Sequence, residues 1–102
     1  MRRGDIWWAE TPAATGRPYL IVSRDAALPV LNDVLVAPIT SRLRELPSTI
    51  RLGAAEGPPI DCIANFDSVE PIRSSYFTRR LGALGPERSH EICAAMAAAI
   101  DR

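Results

Sequence analysis

Apolar positions along this chain fall in short runs separated by turn-forming residues, and only the last segment shows helical spacing. Residues 4–10, Gly4-Asp5-Ile6-Trp7-Trp8-Ala9-Glu10, read as a first strand with strong β-formers at its centre. Neighbours on a strand point to opposite faces, so of Trp7 and Trp8 one fills the core and the other needs a covering loop, a partner chain or a ligand. Residues 11–16 form a short connection. Proline cannot donate to a ladder and pushes the residue before it into an extended conformation, so Pro18 is expected to open the second strand. From Tyr19 to Ser23 the run has almost no polar interruption, which predicts a strand buried on both sides, as in the wall of a small barrel.

Residues 24–33 contain Pro29 and Asn32-Asp33 and are expected to form a loop with room for one helical turn. Residues 34–39 are a further buried strand, ending in Thr40-Ser41. A polar loop follows to Ser48, Thr49-Ile50-Arg51-Leu52 alternates as a half-exposed strand, and residues 53–59 are rich in turn formers. Strands are expected at 60–66, 69–73 and 80–84, with Asp67-Ser68 interrupting. Gly85-Pro86-Glu87 opens a helix, since proline suits the first helical position and an early acid favours the dipole. Ile92, Cys93, Met96 and Ile100 recur at helical spacing, the face expected to pack on the sheet, with His90 at the surface.

Size and composition narrow the class. Residues 1–102 are expected to form one domain, near the length at which many chains dimerise. No apolar run approaches a membrane span and the N-terminus leads directly into a strand, so a cytoplasmic location with no membrane partner is expected. Cys62 and Cys93, one on a strand and one on the helix, read as two buried reduced thiols, and a single histidine argues against zinc. All 12 basic residues are arginine and balance 12 acids. That neutrality argues against binding long nucleic acid by charge alone, because non-specific binding is driven by counterion release. A nucleic acid must meet a local patch: Arg2 and Arg3, Arg42 and Arg44, or Arg73 with Arg79 and Arg80.

Two buried strands end in polar residues, Arg17 at the start of one and Thr40 at the end of the other. If the strands are antiparallel, a guanidinium and a hydroxyl meet at one hollow, and the fork of an arginine fits a phosphate. Plainer readings exist for each: Arg17 as a surface partner of Glu10, and Thr40 as a side chain bonding its own turn. The serine elbow, paired cysteine and histidine, phosphate loop and metal-ligand clusters of common enzymes are missing from the sequence. RNA cleavage tolerates that absence, because the ribose 2′-hydroxyl is the nucleophile. The protein has only to align the chain, neutralise charge on the phosphate and move two protons. Arginine stabilises charge but is a poor base, which leaves Asp67 as the titratable candidate.

Arg3-Gly4-Asp5-Ile6-Trp7, Gly16-Arg17-Pro18-Tyr19-Leu20-Ile21-Val22, Val36-Ala37-Pro38-Ile39-Thr40-Ser41, Asn65-Phe66-Asp67 and Leu81-Gly82-Ala83-Leu84 before a terminal helix together resemble the MazF/PemK toxin endoribonucleases. The resemblance implies a mainly β fold, an SH3-like barrel of the CcdB/MazF/PemK type with a C-terminal helix. It also implies a homodimer and cleavage of single-stranded RNA at short sequences without metal or other cofactor. The products would be a 2′,3′-cyclic phosphate and a 5′-hydroxyl, and a cognate antitoxin would inhibit; the apolar, arginine-rich character of the expected groove calls for an antitoxin peptide carrying acids and large apolar residues. Arg17 and Thr40 then contact the scissile phosphate, and Asp67 matches an acid that transfers protons in part of the family. The arginine such relatives carry two residues earlier is Asn65 here, and the histidine some of them have in the first loop is absent. Ser41, Arg42, Arg44, Asn65 and Arg73 are the substrate-binding candidates. Two other readings remain: a CcdB-like toxin that binds DNA gyrase without catalysis, and a plain SH3-like interaction module.

Overall fold

The computed structural model describes residues 1–101. Strands β1 (Asp5–Thr11), β2 (Ala14–Ile21), β3 (Asp33–Thr40), β4 (Thr49–Leu52), β5 (Cys62–Asn65), β6 (Glu70–Arg73) and β7 (Phe77–Ala83) precede one helix, α1 (His90–Ile100). They form one sheet in the order β4-β5-β3-β2-β1-β7, with β6 also paired to β3. Strand β3 is the hinge of this arrangement. One edge takes β2, while the other pairs first with β6, from Asp33 to Val36, and then with β5 at Ile39 and Thr40. A strand divided between two partners turns from one to the other, and the sheet curls into a half-barrel.

Alternation sorts the side chains of that curl. Ile6, Leu20, Ala37, Ile39, Ile50, Leu52 and Phe66 point inward and are capped by Ile92 and Ala95 of α1. Ala9, Tyr19, Ile21, Val34, Val36 and Ile72 occupy the opposite face as a second buried cluster, with Trp7, Leu28, Tyr76 and Phe77 against it. Both faces of β2 and β3 are therefore buried, as the unbroken apolar runs imply. At the ends of the strand order, the turn after β4 reaches β7 by direct backbone contact. A Cβ at Gly82 would lie 1.9 Å from the Glu56 carbonyl oxygen, and one at Gly57, where φ is +117°, would lie 2.4 Å from that of Leu81. Only glycine permits this approach.

Several boundaries differ from expectation. β2 begins at Ala14, not Pro18, because Thr11 and Ala14 pair across a two-residue turn and the ladder to β1 runs on through Trp8–Pro18. Pro18 is tolerated inside the strand because the ladder to β3 starts only at Tyr19, leaving that edge unpaired. β5 begins at Cys62 and β7 already at Phe77. Pro86 opens a 3-10 turn, Pro86–Arg88, and the α-helix follows from His90. The helix buries Ile92 and Ala95, with Met96 and Ala99 packed beside them, whereas Cys93 is exposed and Ile100 is 74% exposed. Alanines on every side blur the apolar face, so the expected stripe was rotated and only Cys62 is a buried thiol. Trp7 and Trp8 are both half-buried: Trp7 Nε1 donates to Asp5 at 3.3 Å, and Trp8 lies over Gly16. Among the described residues no helix is long and apolar enough to cross a membrane.

Candidate active site

The β2–β3 ladder pairs Tyr19 with Pro38 and Leu20 with Ala37. Continued by two residues, the same antiparallel register sets Arg17 opposite Thr40. Both lie on the face of Tyr19 and Pro38, since side chains two apart share a face. Beyond Tyr19 the two strands are no longer paired, and a cleft of about 590 Å³ opens between them. Arg17, Thr40 and Ser41 line one side of it, Pro58, Pro59 and Ile60 the other, with the buried Cys62 also in its wall.

Arg17 is held from two directions. Its Nη2 donates to the Ile39 carbonyl at 3.2 Å, and the guanidinium carbon stands 5.7 Å from the centre of the Tyr19 ring. Tyr19 is braced edge-to-face by Phe77, with ring centres 6.4 Å apart. Burial, and then Glu70, push the Tyr19 phenol above its ordinary pKa, with Arg17 opposing, so Tyr19 stays a neutral ring beneath the cation. Glu10 instead accepts from Trp8 Nε1 at 3.3 Å, and among the described residues no carboxylate pairs with Arg17. Thr40 does bond its own turn. Its Oγ1 accepts from the Arg42 backbone N–H at 3.2 Å, which orients the hydroxyl and leaves its hydrogen to donate.

The other sequence candidates separate from this pair. Ser41 lines the cleft and Arg42 adjoins it through the bond just described. Arg44 lies farther along the loop, beside Glu45, Arg51 and Glu91 in a different hollow. Asn65 stands two positions beyond Ile63, the partner of Thr40, and its side chain serves the local turn, accepting from the Asp67 N–H at 3.0 Å. Asp67 is also outside the cleft lining, and its carboxylate accepts from Ser48 Oγ at 2.7 Å. Arg73 pairs with Asp33 at the far end of β3, roughly 23 Å from Thr40 at ~3.3 Å per residue. Of the proposed catalytic trio the structure thus brings together Arg17 and Thr40 and leaves Asp67 apart.

A second hollow of about 570 Å³ lies at the opposite end of β1, lined in part by Arg2, Arg3, Arg80, His90 and Cys93. Most of its charge is spent internally: Arg2 pairs with Asp25 at 3.9 Å and Arg80 with Asp5 at 3.5 Å. The cleft residues missed by the sequence reading are Pro58, Pro59, Ile60 and Cys62. The stretch was read as turn and strand, and the one local signal was an isoleucine next to two prolines that a core strand would not place there.

A curled antiparallel sheet closed by one helix, with an arginine that no carboxylate among the described residues pairs and an oriented hydroxyl at one mouth, defines a small β-domain with a cationic cleft. Residues 2–100 match the family described as PemK-like, MazF-like toxin of type II toxin-antitoxin system. The chain is 40% identical to the probable endoribonuclease MazF5 of Mycobacterium tuberculosis over 100 residues, 97% of this chain and 92% of that one. Among solved structures it is similar to the Mycobacterium tuberculosis toxin MazF-mt6, with a TM-score of 0.87, 28% identity and coverage of 95% and 96%. Its fold is also that of an endoribonuclease in complex with its cognate antitoxin from a mycobacterial species, with a TM-score of 0.85, 24% identity and coverage of 98% and 94%. The chain belongs to the PemK-like, MazF-like toxins of type II toxin-antitoxin systems.

Proposed function

We propose that this toxin is an endoribonuclease that cuts single-stranded RNA at the Arg17–Thr40 cleft and is held inactive by a cognate antitoxin. The observation that carries the reading is the convergence of these two side chains, distant in sequence, at the point where β2 and β3 part. The relatives' names supply the reaction class. In-line attack by the ribose 2′-hydroxyl raises negative charge on the phosphate. Arg17, fixed by Ile39 and Tyr19 before substrate arrives, meets that charge without reorganising, and the Thr40 hydroxyl donates to a second phosphate oxygen. The products are a 2′,3′-cyclic phosphate and a 5′-hydroxyl. The 2′-hydroxyl proton leaves to water, and water protonates the departing 5′-oxygen, to which Arg17 donates a hydrogen bond. Among the described residues lining the cleft there is no carboxylate or imidazole, so this reading assigns no general base there. The acting unit is one domain over residues 1–102, cytoplasmic and homodimeric like the family it resembles. An antitoxin segment bearing acids and large apolar groups fits a cleft that is cationic on one side and apolar on the other.

The test is cleavage of an RNA oligonucleotide by Arg17→Ala. Loss of a charge-stabilising donor costs about 10²–10³ in rate. Cleavage at the wild-type rate would remove Arg17 from the chemistry, and cutting of a substrate with a 2′-deoxy sugar at the cut site would remove the 2′-hydroxyl mechanism. Poisoning of gyrase supercoiling by the purified protein, without RNA cleavage, would favour the CcdB-like alternative.

A further inference from the structure

We infer that Pro59 and Ile60, backed by the buried Pro58, form a nucleobase platform facing the Arg17–Thr40 side of the cleft, with Ile60 its principal contact. The inference rests on the nuclease reading above and goes beyond it. Ile60 is 60% exposed although it lines a concave site, and Pro59 beside it is exposed as well. An apolar side chain left in water on a mobile loop carries little information. The turn that leads into this segment, however, is fixed. Gly57 and Gly82 let the turn lie backbone to backbone on β7. Glu56 accepts from the Gly53 N–H at 2.7 Å and pairs with Arg88 at 3.3 Å. Arg88 is locked in turn by Glu91 at 2.6 and 2.9 Å and by the Arg51 carbonyl at 2.8 Å. Two consecutive prolines remove further backbone freedom.

The platform therefore stands preorganised across from a cation and a hydroxyl. A nucleotide has this division, an anionic linkage joined to a flat apolar face, and the cleft volume is that of a small-ligand site. Because the platform faces the Arg17–Thr40 wall across one cleft, the base it contacts belongs to a nucleotide flanking the cut linkage. Proline and isoleucine side chains offer no donors or acceptors, so the platform contributes affinity and alignment and reads base size, not a hydrogen-bond pattern.

The test uses the full chain and two RNA oligonucleotides, one intact and one lacking the base beside the cut. Ile60→Ser, at an exposed position, is expected to lower kcat/KM on intact RNA about tenfold, and Ile60→Phe to restore it. Wild type is expected to lose a similar factor on the abasic RNA, on which Ile60→Ser loses nothing more. Equal kcat/KM for Ile60→Ser and wild type on intact RNA, or penalties that multiply on the abasic RNA, would overturn the platform. If wild type cuts and Arg17→Ala does not, such a result overturns the platform alone. If wild type cuts no RNA, the nuclease reading falls and the platform with it.

Discussion

Replacing Thr40 by valine keeps the shape of the side chain and removes only its hydroxyl. That hydroxyl has one role in the structure and another in the proposed reaction, and the two differ in cost. It accepts the Arg42 N–H at 3.2 Å on an exposed loop, where water can replace it, so the loss of stability should be at most about 0.5 kcal/mol. In the proposed reaction it also donates to a charged phosphate oxygen. A hydrogen bond to a charged group is worth ~1.5–3 kcal/mol, which converts to about a 10- to 150-fold fall in kcat/KM. Thr40→Ser retains the hydroxyl and should stay within about fivefold of wild type. The assay is initial-rate cleavage of an end-labelled oligonucleotide, with urea unfolding of each variant measured alongside. Full activity in Thr40→Val would refute the assignment. A fall in stability near 2 kcal/mol with a proportionate loss of active protein would instead assign Thr40 a structural role.

Gly82→Ala places a methyl group where the Glu56 carbonyl oxygen stands, 1.9 Å away, so a backbone must shift; overpacking of this kind costs about 1–3 kcal/mol, read as a lower urea midpoint, and an unchanged midpoint would contradict the close approach. The side-chain hydrogen bond from Arg88 holds Glu91 below its ordinary carboxylate pKa. With the folded value under the unfolded ~4.3, this stabilisation is present above that pH and is lost as pH falls through the folded value. The stability difference between wild type and Glu91→Gln should therefore be constant from pH 7 to about pH 5 and shrink by pH 3, and a difference that grows on acidification would refute the sign. Asp67→Asn keeps an acceptor for Ser48 Oγ and removes the charge, so cleavage should change by less than about tenfold; a loss near 10² would return Asp67 to the chemistry.

The half-barrel was legible because its evidence is local. The unbroken apolar runs at β2 and β3 demanded burial on both faces, and Thr49 to Leu52 alternates as a strand with one wet face. The meeting of Arg17 and Thr40 at one cleft was legible for the same reason, since each ends an apolar run and one antiparallel pairing is enough to join the runs. Asp67 and Arg73 lie outside the cleft because their placement depends on register at a distance. β6 pairs with the first half of β3, which carries Arg73 to the wrong end, and the turn after Asn65 gives Asp67 to Ser48.

The opposite wall of the cleft was illegible for a different reason. Pro58 to Ile60 carry no chemistry of their own, and their placement depends on Glu56 meeting Arg88 some thirty residues later and on two glycines that touch across the open side of the sheet. Nothing in residues 53–61 by themselves distinguishes such a segment from a solvated turn. A cation at a cleft can be found from the strand that carries it, but a surface that presents only shape becomes visible once the elements that immobilise it are in place. In this fold those elements are β7 and the Pro86–Arg88 turn ahead of α1. A substitution there, such as Gly82→Ala, is therefore expected to disturb RNA cleavage without touching any residue of the cleft.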